Sequence, residues 1–203
     1  MATNAVEICQ LALGNLGETK ELASLGEQSK EAKACSRWYS TVRDLVFASY
    51  PWPFARRISA LTAAPTEANL RWASMYALPP DFLAARYLLD PRGRVTSVPL
   101  PYAIEISSDG KTSLLGCDLT TATLVYTASF PTDNLVPLIP AAVVDALTWK
   151  LAARLVPALA LKPDQIRACE DMYQRTVREA YAIAISTEPF EPLPDSELIT
   201  VRG

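Results

Sequence analysis

Apolar residues along this chain follow a helical period at both ends and a different rhythm in the middle. Val6, Cys9, Leu13 and Leu16 recur on one helical stripe. Asn4 precedes them as a capping side chain, with Glu7 three residues on to close a capping box. A first helix is therefore predicted from Asn4, stopping at Gly17. After a polar turn, Ala32, Cys35, Tyr39, Val42, Val46 and Tyr50 repeat the spacing while Lys33, Arg37 and Asp44 lie mostly off it. That predicts a longer second helix ended by Pro51 and Pro53. The period returns at Pro140, with Val144, Leu147, Leu151 and Leu155 as the stripe of a third helix that Pro157 should kink. Pro163-Asp164 opens a fourth helix, with Ile166, Cys169, Tyr173, Val177, Ala180 and Ala184 on its stripe, ending before Pro189.

Between Pro51 and about Pro137, prolines, glycines and short alternating runs replace the helical period and argue for a β-rich insert. Tyr102, Ile104 and Ile106 alternate with Ala103 and Glu105, and Asp109-Gly110 suggests a tight hairpin turn returning through Thr112 to Leu115. Thr123 to Thr127 fits a further strand. Upstream, Leu70 to Leu78 and Phe82 to Leu89 read as extended segments separated by a Pro79-Pro80 bend. The expected fold is mainly α: a four-helix bundle with a β-rich insert between helices two and three and an extended C-terminal tail. The expected division is 1–50 for helices one and two, 51–137 for the insert, 138–187 for helices three and four, and 188–203 for the tail. Pro189, Pro192 and Pro194 favour an extended backbone in that tail, followed by the β-prone run Leu198-Ile199-Thr200-Val201. Leu198, Ile199 and Val201 would be apolar anchors on the sheet edge or groove of a partner, and Arg202 a charged contact there.

Composition narrows the chemistry. Half of the 203 residues are hydrophobic and 20% are charged, as in ordinary globular proteins. The net charge of −3 gives no global attraction to nucleic acid or to an anionic membrane. There is no histidine, which removes the usual general base, the commonest metal ligand and the orienting member of nucleophilic triads. Met1 to Glu7 has no basic or long apolar segment and does not read as a signal peptide. The most apolar stretch, Leu147 to Leu161, is interrupted by Lys150, Arg154 and Pro157, so no membrane span is expected.

Four cysteines are spaced without any CxxC pair, which favours reduced thiols. Cys9, Cys35 and Cys169 fall on apolar stripes and read as small core residues, whereas Cys117 reads as an exposed turn residue. No metal or cofactor is expected. Glu67, Asp81, Asp90 and Glu105 are carboxylates in the insert, yet nothing in their spacing joins a pair for glycosidase chemistry. The 7 glycines form no phosphate loop. Arg56-Arg57 and the group Arg86, Arg92 and Arg94 read as ordinary surface charge. In Tyr50-Pro51-Trp52-Pro53-Phe54, the rings of Trp52 and Phe54 read as a plug where helix meets insert.

The ordered pieces Glu7-Ile8-Cys9, Ala12-Leu13, Leu16-Gly17, Ala32, Cys35, Tyr39 and Arg43-Asp44 continue into Pro51-Trp52 with Phe54-Ala55. Trp72, Tyr76, Leu78-Pro79 with Asp81-Phe82, Arg86, the Ala-rich third helix and Val201-Arg202 follow in turn. This set resembles the tail tubular protein A type of head-to-tail adaptor found in short-tailed phages, across essentially the whole chain. Pro53 departs from the polar residue expected there, and the loop from Pro91 to Pro101 has no counterpart. The resemblance implies a non-enzymatic virion protein, made in the host cytoplasm and placed at the head-to-tail interface. It also implies a closed ring of identical subunits, on the order of twelve, between the portal protein and a distal tail or nozzle protein. DNA would pass through the channel without specific binding, and no membrane would be involved. The competing expectation is a tail-associated, carboxylate-dependent cell-wall hydrolase, which would need two Asp or Glu side chains converging in a cleft.

Overall fold

In the computed structural model, residues 4–64, 71–130 and 138–186 are described. The chain divides into two compact units. One runs to Ala55 and resumes at Ser129, and the other begins at Arg56 and runs to Ala128.

Among the described residues, the first unit holds four α-helices: α1 (Ala5–Asn15), α2 (Lys30–Ser49), α3 (Ala141–Leu159) and α4 (Asp164–Ser186). Asn4 caps α1 by accepting the Glu7 amide at 3.0 Å. The helix stops where Gly17 takes φ +79°, which lets the Glu18 amide reach the Leu13 carbonyl at 3.0 Å. Ser29 caps α2 by accepting the Ala32 amide. Pro157 stands in the last turn of α3 and does not interrupt it. The helix stops two residues later because Ala160 adopts φ +59°, and the Leu161 amide bonds to the Val156 carbonyl at 3.0 Å.

α3 is the centre of this unit. It packs against α1, α2 and α4, and Val143, Val144, Leu147, Leu151, Leu155, Val156 and Leu159 are buried around most of its circumference. Each neighbour also meets it through a polar tie. Asn15 Nδ2 donates to the buried Thr148 Oγ1 at 3.2 Å. Lys30 Nζ reaches the Leu159 carbonyl at 2.7 Å, placing a cation on the C-terminal end of α3. Lys150 Nζ bonds Glu170 at 2.7 Å and lies 4.7 Å from the centre of the Tyr173 ring. The apolar stripe of α4 contains Cys169, Tyr173, Val177 and Ala180, with Thr176 added, whereas Ile166 is exposed.

Among the described residues, the second unit holds seven strands in two antiparallel sheets. These are β1 (Arg56–Ala60), β2 (Thr62–Ala63), β3 (Ser74–Ala77), β4 (Phe82–Leu89), β5 (Ala103–Ile106), β6 (Ser113–Cys117) and β7 (Thr123–Ala128). One sheet has the order β1-β7-β4 and the other β2-β3-β6-β5. Tyr76, Leu115 and Cys117 from the second sheet and Leu88, Leu124, Tyr126 and Ala128 from the first form one core between them. β7 is buried on both faces, so its sequence shows no alternation.

The expectation of a mainly α protein is corrected here. About 45% of the described residues are helical and 20% lie in strands, a mixed α/β fold in which the sheets have a core of their own. The helical period hid this because β1 and β2 are short and largely exposed, so neither carries an apolar alternation. The hairpin turn also differs from the expected two-residue type. Gly110 alone has positive φ, at +72°, and residues 107–112 form a longer loop. In that loop the Asp109 carboxylate accepts the Lys111 amide at 3.0 Å and the Ser107 hydroxyl. Cys117, expected at an exposed turn, is fully buried at the end of β6, where burial pushes its thiol pKa up. Among the described residues, no helix is long and apolar enough to cross a membrane.

Two substitutions test the independence of the sheets. A Cβ on Gly116 would come within 2.4 Å of Trp72 Cδ1, so Gly116→Ala must displace the indole and strain its 3.0 Å hydrogen bond to Glu105. The expected cost is about 1–3 kcal/mol in urea denaturation. Gly110→Val forces a β-branched residue into positive φ and is expected to loosen the β5–β6 hairpin while far-ultraviolet circular dichroism retains the helical signal.

Candidate functional site

The motif residues of the adaptor resemblance occupy joints of the two units. In the first unit, Arg43 is buried, with its guanidinium bonded to Asp44 at 3.0 Å and 5.8 Å from the Tyr39 ring centre. The Asp44 carboxylate also accepts the Ser129 hydroxyl at 3.0 Å, tying α2 to the residue where the chain re-enters this unit. Trp52 is fully buried, and its indole N–H donates to the Val46 carbonyl at 2.9 Å, satisfying a group left over at the end of α2. Phe47, Phe54 and Phe130 pack with ring centres 5.3 to 6.1 Å apart, so residues on either side of the insert meet on α2.

In the second unit, Asp81 holds two strands of the first sheet. Its Oδ1 accepts the Tyr126 hydroxyl of β7 at 2.9 Å, and its Oδ2 pairs with Arg57 of β1 at 2.9 Å. Burial, and then the Asp81 carboxylate, push the Tyr126 pKa from 10.0 to about 12. The remaining described carboxylates of the insert are also engaged. Glu105 accepts the Trp72 indole N–H, and Asp90 Oδ1 accepts the Arg92 and Arg94 amides at 2.9 and 2.7 Å. Glu67 lies outside the described residues. The basic spots disperse in the same way. Arg86 bonds Thr127 Oγ1 at 2.8 Å, Arg57 belongs to Asp81, and Arg92 and Arg94 lie on an exposed loop around Asp90.

No family model matches this chain, and no curated protein sequence matches it.

The predicted anchors Leu198, Ile199, Val201 and Arg202 lie outside the described residues. Among the described residues, β1 and β5 are two of four edge strands, with β2 and β4, and have a partner strand on one side only. Both edges carry exposed isoleucines: Ile58 on β1 at 62% exposure, and Ile104 and Ile106 on β5 at 42% and 72%. Exposed apolar side chains on a strand edge suit a protein contact. Ile104 and Ile106 stood out in the sequence as an alternating pair, but Ile58 gave no signal in a segment that reads as basic.

Two proximities had no signature in the sequence. Asp145 on α3 is raised above the usual carboxylate range by partial desolvation and by Glu179 on α4. The Cys35 thiol on α2 is held below the usual thiol range by side-chain hydrogen bonding with Cys9 on α1. Among the described residues, no group of three or more Cys, Asp or Glu could hold a metal ion.

The Tyr126 shift predicts a pH dependence with a definite sign. Because the folded state keeps a proton that the unfolded chain releases above about pH 10, this contribution is intact below that pH and is lost between about pH 10 and about pH 12. Urea midpoints followed across that range should fall. Asp81→Ala leaves Tyr126 and Arg57 without their shared acceptor and should cost about 1–3 kcal/mol in the same measurement.

Proposed function

We propose that this chain is a head-to-tail adaptor of the tail tubular protein A type, a structural virion protein forming a closed ring between a portal and a distal tail component. The observation that carries the reading is the ordered set Arg43-Asp44, Pro51-Trp52-x-Phe54-Ala55 and Leu78-Pro79-x-Asp81-Phe82. These residues serve as joints of the fold: Arg43 and Asp44 with Ser129, Trp52 with Val46, and Asp81 with Tyr126 and Arg57. A ring component needs such rigidity more than it needs a reactive centre. The exposed isoleucines at two strand edges offer apolar contact surface for neighbours, and the net charge of −3 suits a channel through which DNA slides without being held. The C-terminal segment, with Leu198, Ile199, Val201 and Arg202, is the arm that engages the portal or the adjacent subunit.

A second reading, a tail-associated cell-wall hydrolase, is favoured by one observation, the Asp145 carboxyl of α3, whose pKa is raised by partial desolvation and by the charge of Glu179 on α4. Incubation with purified peptidoglycan separates the two. The adaptor reading expects no released sugar from the wild type or from Asp145→Asn, whereas release abolished by that substitution establishes the hydrolase.

The adaptor reading is tested by sedimenting the full chain with portal rings at micromolar concentration. Co-sedimentation is expected, and a portal that stays bare overturns the proposal. Deleting the residues after Pro189 should leave the monomer's melting temperature almost unchanged while weakening portal attachment or ring closure. Unaltered affinity removes the arm from the mechanism, and an unfolded monomer assigns the tail to the core.

A further inference from the structure

The ladder of the β5–β6 hairpin shows which backbone groups β5 turns outward. The Ser107 amide bonds the Thr112 carbonyl at 2.8 Å across the hairpin. In an antiparallel pair, residues whose amide and carbonyl face the partner strand alternate with residues whose groups face away. Glu105 and Ala103 therefore turn theirs toward β6, while Ile104 and Ile106 turn theirs to the open edge, where no strand among the described residues pairs with them. The side chains add an apolar surface at the same place. Ile104 stands opposite Leu115, a residue of the core between the sheets. Ile104 and Ile106 thus carry the core face of the sheet out to its edge, at 42% and 72% exposure. An apolar edge of this kind is a template for a further strand.

Charge and pattern select that strand. A second β5 in antiparallel register, with Ile104 against Ile106, would set Glu105 against its own equivalent in the other copy, and directly opposed like charges are unfavourable. The C-terminal run Leu198-Ile199-Thr200-Val201-Arg202, beyond the described residues, fits better. The nine residues from Asp195 to Gly203 contain no proline, so each has an amide to donate. Antiparallel pairing of Ile199 with Ile106 and Val201 with Ile104 sets apolar against apolar on the core face. On the opposite face it puts Arg202 diagonally across from the Glu105 carboxylate. The edge of β1 suits the run less, with one exposed isoleucine, Ile58, beside Arg56 and Arg57, which have the same sign as Arg202. Eleven residues, three of them proline, separate Ser186 from Leu198. A proline-rich spacer is stiff and at about 3.1 Å per residue reaches about 34 Å, which favours a neighbouring copy over folding back.

We propose that residues 198–202 of one copy add as an antiparallel strand to the β5 edge of the next copy, extending the sheet β2-β3-β6-β5 by one strand. Each copy owns one run and one edge, so the contact is head-to-tail and repeats from copy to copy until a ring closes. The site rests on the adaptor reading for its ring and gives the arm of that reading a seat on the neighbouring subunit.

Ile106→Cys and Ile199→Cys, made separately in the full chain, supply the test, because the native cysteines are buried and leave the new thiols as the reactive ones. The two variants are mixed at high micromolar concentration, with and without portal rings, and treated with a short bismaleimide. A dimer whose linked peptides carry positions 106 and 199 from different copies is expected. A chain with both substitutions, diluted in excess wild type, should show no link within itself. Absence of the link from both mixtures, or a link confined to one chain, overturns the proposal. Ile106→Lys, at an exposed position, should weaken self-association about tenfold or more with circular dichroism unchanged. Adding the deletion after Pro189 should weaken it no further, whereas additive losses place the run elsewhere and overturn the site. Portal co-sedimentation without the link retains the adaptor and removes this site, and the link without portal binding retains the site and removes the adaptor.

Discussion

The apolar circumference of α3 is the constraint on which the first unit depends. A helix that buries residues such as Val143, Leu147, Leu151 and Val156 around most of its surface cannot be stable until other helices cover it, and α1, α2 and α4 supply that cover. Two of those helices precede the insert in sequence, so the unit closes only after residues 56–128 have been looped out. The first sheet eases this closure. β1 pairs with β7 in antiparallel register, placing Arg56 opposite Thr127, so the insert begins and ends at neighbouring positions. A folded insert with adjacent ends costs the bundle far less closure entropy than a flexible loop of the same length. Asp44 with Ser129, and Phe54 with Phe130, then fasten the two crossings on the bundle side.

The chemistry in the chain is largely committed to structure. There is no histidine, and the described carboxylates of the insert accept hydrogen bonds from Tyr126, Trp72 or backbone amides. Lys150, the most shielded lysine in an ion pair, is held by Glu170 and the Tyr173 ring. A partly buried charge with both an ionic and an aromatic partner fixes the register of α3 against α4 and offers little to a substrate. Rigid joints and apolar strand edges form a coherent set for a protein whose work is assembly, and this is the physical content behind the adaptor proposal.

Much of the architecture was legible in the sequence. The four helices, the Asn4 cap and the Gly17 stop are short-range patterns that the structure realises, and the expected stripes are buried in most positions, with Ile166 of α4 exposed and Val6 of α1 only partly covered. Strands β4 and β7 also stand close to where alternation and β-branched residues placed them. Short-range patterns are readable because a helix or strand repeats its own geometry every few residues, whatever it later packs against. The aromatic-proline segment was legible for a similar reason, since Trp52 is too large to leave exposed and the prolines mark the end of a helix.

Other features belong to tertiary structure alone. Whether the insert is an appendage or a two-sheet unit with its own core depends on β7 leaving the neighbouring hairpin to pair with β1 and β4, a choice no local pattern encodes. Cys117 looked like a turn residue and became core because the first sheet covers it. The electrostatic influence of Glu179 on Asp145, and of Cys9 on Cys35, likewise crosses between helices whose stripes reveal which face is buried but not which neighbour will cover it. Hydrophobic periodicity is a one-dimensional signal and specifies a face. The partner of that face is set by the packing of all the elements together, and so the sequence determined the elements while the tertiary structure decided which side chains meet.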